Sequence, residues 1–337
     1  MKKIIIAHQY YCPEHFTALL KSEEFRVDYR VLDPFYYLLF LFRKRGSFTK
    51  CLRLSCVALF NIIYLNFISN RTVIFAMPPY HPLLFLLIPF LSKNKIIFFT
   101  SWPFWGDKEK AAVGPKIISS VWLRTIKRYT EKVACVNSSS YRYWSQYLVC
   151  RLVEHCIETE KYICKKDYTI TGRLVYIGRL VKYKNMDKLI GAIEKNAHLS
   201  LDIIGNHLGI SCQGASSRIK YIGYRSKEWI HNNLSKYDAL ALVSEWSEPY
   251  GIVLLEAMAA GVPVLVTRTA GTETVFANES YPFIAETSNA LEIENLISNF
   301  SNYDAVQREK VGKALKTLSH KYRISEKLKV WQLLLAS

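Results

Sequence analysis

SEPYGIVLLEAMAAGVPVLVT, residues 247–267, sets two carboxylates, Glu248 and Glu256, eight positions apart. Pro249 and Gly251 punctuate a loop between them. Ile252–Ala260 read as a helix stopped by Gly261 and Pro263, and Pro263–Val266 as a strand. A further strand, Ala239–Leu242, precedes the stretch and closes at Val243-Ser244. Free N–H groups at such a helix start attract anions, so Gly251 and Ile252 are expected to present theirs to phosphate or sugar oxygens. Eight residues turn a helix by about 80°, and the loop lets both acids reach one cleft. A carboxylate accepts hydrogen bonds, and a vicinal diol supplies two donors. Two acids flanking an anion-friendly helix start therefore fit a sugar nucleotide. The alternative is that Glu256 is a solvated helix residue, but Leu254, Leu255, Ala257 and Met258 leave little solvated face around it.

Outward from this stretch, short β-branched runs alternate with longer helical patterns. Lys3–Ala7, Val27–Leu32, Thr72–Ala76, Lys95–Thr100 and Lys132–Val136 form one strand series. Leu174–Ile177, Leu199–Ile204, Ile219–Ile222, Ala239–Leu242 and Pro263–Val266 form a second. The alternation predicts α/β parallel sheets, and two series predict two doubly wound domains facing across a cleft. The expected division is residues 1–160 and 161–319, with a final helix, about 320–337, packing back on the first domain. Ligands of open α/β sheets sit at the carboxyl ends of the strands. Polar or turn residues stand there in both series: His8, Pro78, Ser101, Asn137, Gly178, Gly205, Gly223 and Ser244.

Composition narrows the partner. Residues 1–150 carry 21 Lys+Arg against 8 Asp+Glu, and residues 151–337 carry 24 against 20. A basic half calls for a polyanion: nucleic acid, an anionic membrane or a phosphorylated substrate. No recognised nucleic-acid motif accompanies the charge. FYYLLFLF at 35–42, followed by Arg43-Lys44-Arg45, suits a membrane surface or equally a buried helix with a basic end. A helix over Ile118–Val133 adds Trp122, Arg124, Lys127, Arg128 and Lys132 to the basic set. The longest apolar runs, Val57–Ile68 and Leu83–Leu91, fall short of a membrane span. Eight cysteines without a CxxC pair read as reduced core residues, and no secretory signal opens the chain, so a cytoplasmic protein is expected.

One more segment carries chemistry. The strand LVYI runs into Gly178-Arg179-Leu180, with Lys184 shortly after. A glycine there admits a tight turn and close ligand approach. Arg179 can grip phosphate oxygens bidentately and Lys184 can add a point charge. Together they suit a diphosphate leaving group, whose charge grows as its bond breaks. Taken alone, an Arg and a Lys after a strand are more often solvated.

With these residues in view, EPYGIVLLEAMAAGVPV is similar to the E-x7-E signature of the retaining GT-B glycosyltransferases, family GT4, the glycosyl transferases group 1. YIGRLVKYKNMDKLIGAI (176–193) resembles that family's diphosphate segment. ALALVSEWSEPYG (239–251) resembles its strand into the motif, AGTETV (270–275) its following loop with Glu273 at the family's acid, and VEHCIETEKY (153–162) its interdomain stretch. The resemblance covers roughly 150–290. It implies a GT-B fold and a retaining, hexosyltransferase-type enzyme moving a sugar from a nucleotide-sugar to a glycan or lipid-linked acceptor, in cell-surface polysaccharide or glycolipid synthesis at the inner membrane face. It assigns Arg179 and Lys184 to the donor diphosphate, Glu248 to sugar hydroxyls and Glu256 to the ribose diol. Gly251 and Ile252 offer N–H groups, while Gly178, Gly223 and Tyr224 border the donor.

The family transfers sugar without a generally accepted protein nucleophile, so the Arg/Lys pair is the main catalytic element and neither glutamate is one. No cofactor and no metal are expected, in keeping with the absence of a DxD, and no nucleic-acid partner. Departures stand at Asn185, where the family usually has glycine, and at FFTSWPFWGD (98–107), where Ser101 and Trp102 replace a usual histidine. HQYYCPEHFT (8–17) replaces a glycine-rich loop. His8, Ser101 and Trp102 are candidate acceptor residues. Two other readings share these features: a nucleotide-sugar 2-epimerase of the same fold and a non-catalytic sugar-nucleotide-binding partner.

Overall fold

A computed structural model describes the chain except residues 1, 10–11, 35–47, 78–83, 106–115, 207–215, 247 and 337. The chain forms two compact units. Residues 1–155 and 327–337 make the first, and 156–326 the second. The aromatic run at 35–42 with Arg43–Arg45, as well as Pro78, lies outside the described residues.

The first unit contains β1 (Lys2–His8), α1 (Thr17–Leu20), β2 (Phe25–Val31), α2 (Phe48–Phe67), β3 (Thr72–Ala76), α3 (Leu84–Lys93), β4 (Lys95–Thr100), α4 (Lys116–Tyr129), β5 (Thr130–Cys135), α5 (Ser138–Trp144) and β6 (Val149–Leu152). Its sheet is wholly parallel in the order β2-β1-β3-β4-β5-β6. The strands are near-continuous apolar runs because helices cover both faces. Phe75, Phe98, Trp122 and Trp144 centre the core on one face. Two expectations change here. The helix read over Ile118–Val133 ends at Tyr129, and Lys132 lies on β5, where its ammonium donates to the Leu334 carbonyl at 3.0 Å. The β-branched run from Thr130 pairs with β4, so tertiary pairing overrides the helical continuation. Trp122 points inward and packs edge-on against Phe75 and Phe98, so it does not join the surface basic set. β6, VCRL, escaped the sequence reading because it is a short edge strand with no clean alternation.

The second unit contains β7 (Arg173–Ile177), α6 (Met186–Glu194), β8 (Ser200–Ile204), β9 (Ile219–Gly223), α7 (Lys227–Asn233), β10 (Ala239–Leu242), α8 (Ile252–Ala259), β11 (Val264–Thr267), α9 (Ala270–Val275), β12 (Ile284–Ala285), α10 (Ala290–Asn302) and α11 (Ala305–Ser319). Its parallel sheet runs β12-β11-β10-β7-β8-β9. Counted from β7, that is the 3-2-1-4-5-6 order of dinucleotide-binding sheets, and the order reverses between β7 and β10. Helix starts are fixed locally: the Thr269 and Asp304 side chains accept from the N–H groups of Thr272 and Gln307, each within a capping box. The final helix, α12 (Ile324–Ala336), belongs to the first unit from Lys327 onward. There Trp331 is buried beside Phe16 and Phe99, and Lys327 pairs with Glu154 at 2.5 Å.

Candidate active site

The reversal between β7 and β10 leaves a crevice at their carboxyl ends, because the following connections depart to opposite faces. Two loops meet there. The first leaves β7 at Gly178, whose N–H donates to the Ile204 carbonyl at 2.9 Å. Tyr176, buried in the sheet, donates its hydroxyl to the Arg179 carbonyl at 2.8 Å and fixes the turn. The Arg179 side chain is exposed. Lys184 follows, and Asn185 adopts φ 50°, ψ 42°. Asparagine is among the few side chains that tolerate this left-handed backbone. The amide of Asn185 also donates to the Val243 carbonyl at 3.0 Å, tying the lysine loop to the end of β10. The departure from the family's glycine is thus a conservative one.

The second loop leaves β10 and reaches α8 through Gly251, at φ 76°. A Cβ on Gly251 would meet only the Glu248 Cγ at 3.9 Å, so glycine is required there for backbone conformation rather than for space. Helix α8 then closes with Val262 N–H donating to the Ala257 carbonyl at 2.9 Å. The loop also touches α9. A Cβ on Gly271 would lie 2.2 Å from the Tyr250 carbonyl oxygen, so only glycine admits this approach.

Lys184 and Glu248 meet as an ion pair between these loops, their side chains 12% and 15% exposed. They line one recess with Ser244, Tyr250, Gly251 and Thr272. Burial, and after it the nearby Arg179 guanidinium, press the Lys184 ammonium down to about 8, while contact with the Glu248 carboxylate works the other way. Here a cation, an anion-accepting helix start and a carboxylate share one small volume. The recess sets a basic side, Lys184, against an acidic one, Glu248. Ser244 was placed at a strand end from the sequence and Gly271 and Thr272 lie in the quoted AGTETV, whereas Tyr250 and Thr269 were not singled out. The Thr-x-x-Thr spacing before an apolar helix was the available signal for part of that set.

Glu256 sits elsewhere. It is 7% exposed and its carboxylate accepts the Tyr162 hydroxyl at 3.0 Å, so it does not line the recess of Glu248. Burial raises its carboxyl above the ordinary range against the pull of Tyr162 and Lys227. Tyr162 in turn packs edge-on against His231, with centroids 4.5 Å apart. Ile252 opens α8. Gly223 ends β9 with φ 79°, and Tyr224 beyond it is 68% exposed. Gly178, Gly223, Tyr224, Gly251 and Ile252 all stand at carboxyl strand ends or the loops leaving them.

In the first unit, His8 is buried at the end of β1, stacked on Tyr29 and 5.7 Å from the ring of His15. His15 lies 4.9 Å from His155, and burial pushes His15 down to about 4. This end of β1 borders the first sheet's own reversal, between β1 and β3. The Ser101 carbonyl accepts the Asn137 amide at 2.9 Å. Trp102 is half-buried edge-on to Phe104, and its carbonyl accepts the Ser140 hydroxyl at 2.6 Å. Trp105 belongs to the local core with Tyr143 and Trp144.

Residues 168–327, a little under half of the chain, match the family Glycosyl transferases group 1. It is similar to two uncharacterized glycosyltransferases of Methanocaldococcus jannaschii. It is 30% identical to MJ1607 over 116 residues, covering 32% of this chain and 30% of that protein. It is 25% identical to MJ1178 over 211 residues, covering 58% of each. The chain therefore spans less than two thirds of the length of either relative. Among solved structures, Anabaena Alr3699/HepE in complex with UDP and glucose has a TM-score of 0.74 at 15% identity over 100% of both chains. The sucrose-phosphate synthase of Thermosynechococcus elongatus has 0.70 at 12% identity over 100% of both. S. aureus TarM has 0.63 at 14% identity, over 82% of this chain and 57% of that one. The fold is that of the GT-B glycosyltransferases.

Proposed function

We propose that the protein is a retaining glycosyltransferase that moves a sugar from a nucleotide-sugar to a glycan or lipid-linked acceptor. The observation that carries this reading is the Lys184–Glu248 pair at the β7/β10 reversal, inside the glycosyl transferases group 1 domain. Arg179, free to swing, and Lys184 bind the donor diphosphate. The Gly251 and Ile252 N–H groups add donors, and Glu248 orients the sugar hydroxyls. Glu256 takes the ribose diol when Tyr162 yields it, and Gly178, Gly223 and Tyr224 border the nucleotide. In the reaction the anomeric carbon–phosphate oxygen bond breaks while the acceptor oxygen bonds to the same face. The acceptor proton passes to the leaving phosphate, so configuration is retained without a protein nucleophile. Removing one preorganised charge from such a site costs on the order of 10²–10³ in rate, which is the loss expected of Lys184→Ala. The reading needs no cofactor and no metal.

The basic first half of the sequence supports an acceptor held at an anionic membrane face rather than on nucleic acid, with peripheral attachment from the cytoplasm and a role in polysaccharide or glycolipid synthesis. His8, Ser101 and Trp102 are the acceptor-side candidates. The test is calorimetric titration of UDP, GDP, ADP and dTDP into the protein and into Arg179→Ala and Lys184→Ala. HepE binds UDP and UDP-glucose, so UDP is the first choice. Binding of one nucleotide, lost in both variants, supports the donor site. No binding by any of them sinks it.

A further inference from the structure

Helix α2 is apolar on two faces, and among the described residues only one of them is covered. On the inner face Ser55 donates to the Pro34 carbonyl at 2.9 Å and Asn61 to the Val31 carbonyl at 3.0 Å, with Ala58, Ile62 and Leu65 buried alongside. Opposite them Leu52, Leu59, Phe60, Ile63 and Phe67 are exposed, Phe67 by 85% and Phe60 by 62%. At the helical turn angle these five fall within an arc of about 100°. Leu86 of α3 joins them, since the Asn66 amide of α2 donates to its carbonyl at 3.3 Å. An apolar stripe of this length is an interaction surface rather than ordinary solvent-facing surface.

The charge around the stripe identifies the occupant. Between Asp33 and Asp107 the sequence holds eight Lys or Arg and no acid. Among the described residues, Arg53 on α2 is exposed, as are Arg71 and Lys95. The Lys93 ammonium donates to the Asn66 carbonyl at 3.4 Å, placing a cation at the carboxyl end of the helix. A second copy of the same face would bring these cations together and repel. A lipid surface offers hydrocarbon to the stripe and phosphate to its rim. The helix does not cross the bilayer, because its inner polar side chains are fastened beside the first sheet. Among the described residues no helix is long and apolar enough to span a membrane.

We infer that the outer face of α2, with Leu86, is the surface on which the first unit docks, lying in the interfacial layer of an anionic membrane. This rests on the membrane part of the proposed function and names its contact. The test is sedimentation of the full chain with vesicles of phosphatidylcholine alone and of an equal mixture with phosphatidylglycerol. It is repeated with the triple variant Phe60→Ser, Ile63→Ser, Phe67→Ser, whose side chains are all exposed. The wild type is expected to pellet with the mixed vesicles, and the variant to lose about tenfold or more in partitioning. Its circular dichroism and melting temperature should be unchanged. Equal binding by the variant would overturn the α2 contact while leaving a membrane-bound enzyme. Failure of the wild type to bind even at low salt would overturn both. A wild-type dimer without vesicles, monomeric in the variant, would assign the face to a second copy and overturn the lipid contact.

Discussion

For the proposed function, Lys184 holds the site's most consequential proton. A diphosphate needs the ammonium form, and burial with Arg179 brings its deprotonation down to about 8. Nucleotide binding should therefore weaken as pH rises through that value, and Lys184→Arg, whose guanidinium stays charged, should remove the decline. Calorimetry at pH 7 and pH 9 checks this. Glu256 carries the opposite kind of cost. Its folded pKa is raised by burial, so its contribution to stability is full below the unfolded value and is lost as pH rises through the folded one. Above its folded pKa the ionised carboxylate is a liability. Glu256→Gln keeps an acceptor for Tyr162, so its melting temperature should gain on the wild type's as pH rises through that value, with the gap closing on acidification. A gap independent of pH would contradict this. Tyr162→Phe leaves the carboxylate without its 3.0 Å donor and should cost about 1–3 kcal/mol, read from denaturant titration.

Among the elements, the loop–helix pairs around α8 and α9 decide how well the recess is formed. Gly271→Ala would push a methyl to 2.2 Å from the Tyr250 oxygen, and the backbone of one element has to move. Overpacking of this kind costs about 1–3 kcal/mol. Because Tyr250 adjoins Gly251, nucleotide affinity should fall together with the melting temperature. The strands were legible in the sequence because parallel strands covered on both faces read as continuous β-branched runs. The α8 helix was legible because Gly251 and Gly261 bracket it. Ile284–Ala285 was not, since two residues carry no period. The Tyr162–Glu256 bond was equally hidden. It joins positions 94 apart, and nothing local to either names the other. Asn185 read as a mismatch until its left-handed backbone showed that the position needs a permissive residue.

For the whole molecule, the division of the chain is the governing fact. Trp331 fills the first unit's core from the far end of the sequence, against Phe16 and Phe99. Trp331→Ala should cost the first unit about 3–5 kcal/mol. A calorimetric scan should show that unit's transition moving down while the transition of residues 156–326 stays in place. If both move equally, the two units do not melt separately. Charge was legible at this scale too: the basic excess of the first half appears in the sequence, whereas the uncovered face of α2 does not.

Because residues 156–326 are threaded between the two parts of the first unit, the ribosome completes the first unit only after translating the whole of the second. At cellular elongation rates that interval is on the order of 10–30 s. During it a nascent chain displays the socket around Phe16 and Phe99 without its tryptophan. The second unit, by contrast, emerges as one uninterrupted segment able to collapse as it appears. Newly made protein should thus depend on holding chaperones through the amino-terminal portion. Slowing translation beyond Cys156 should raise aggregation of that portion more than of the second unit.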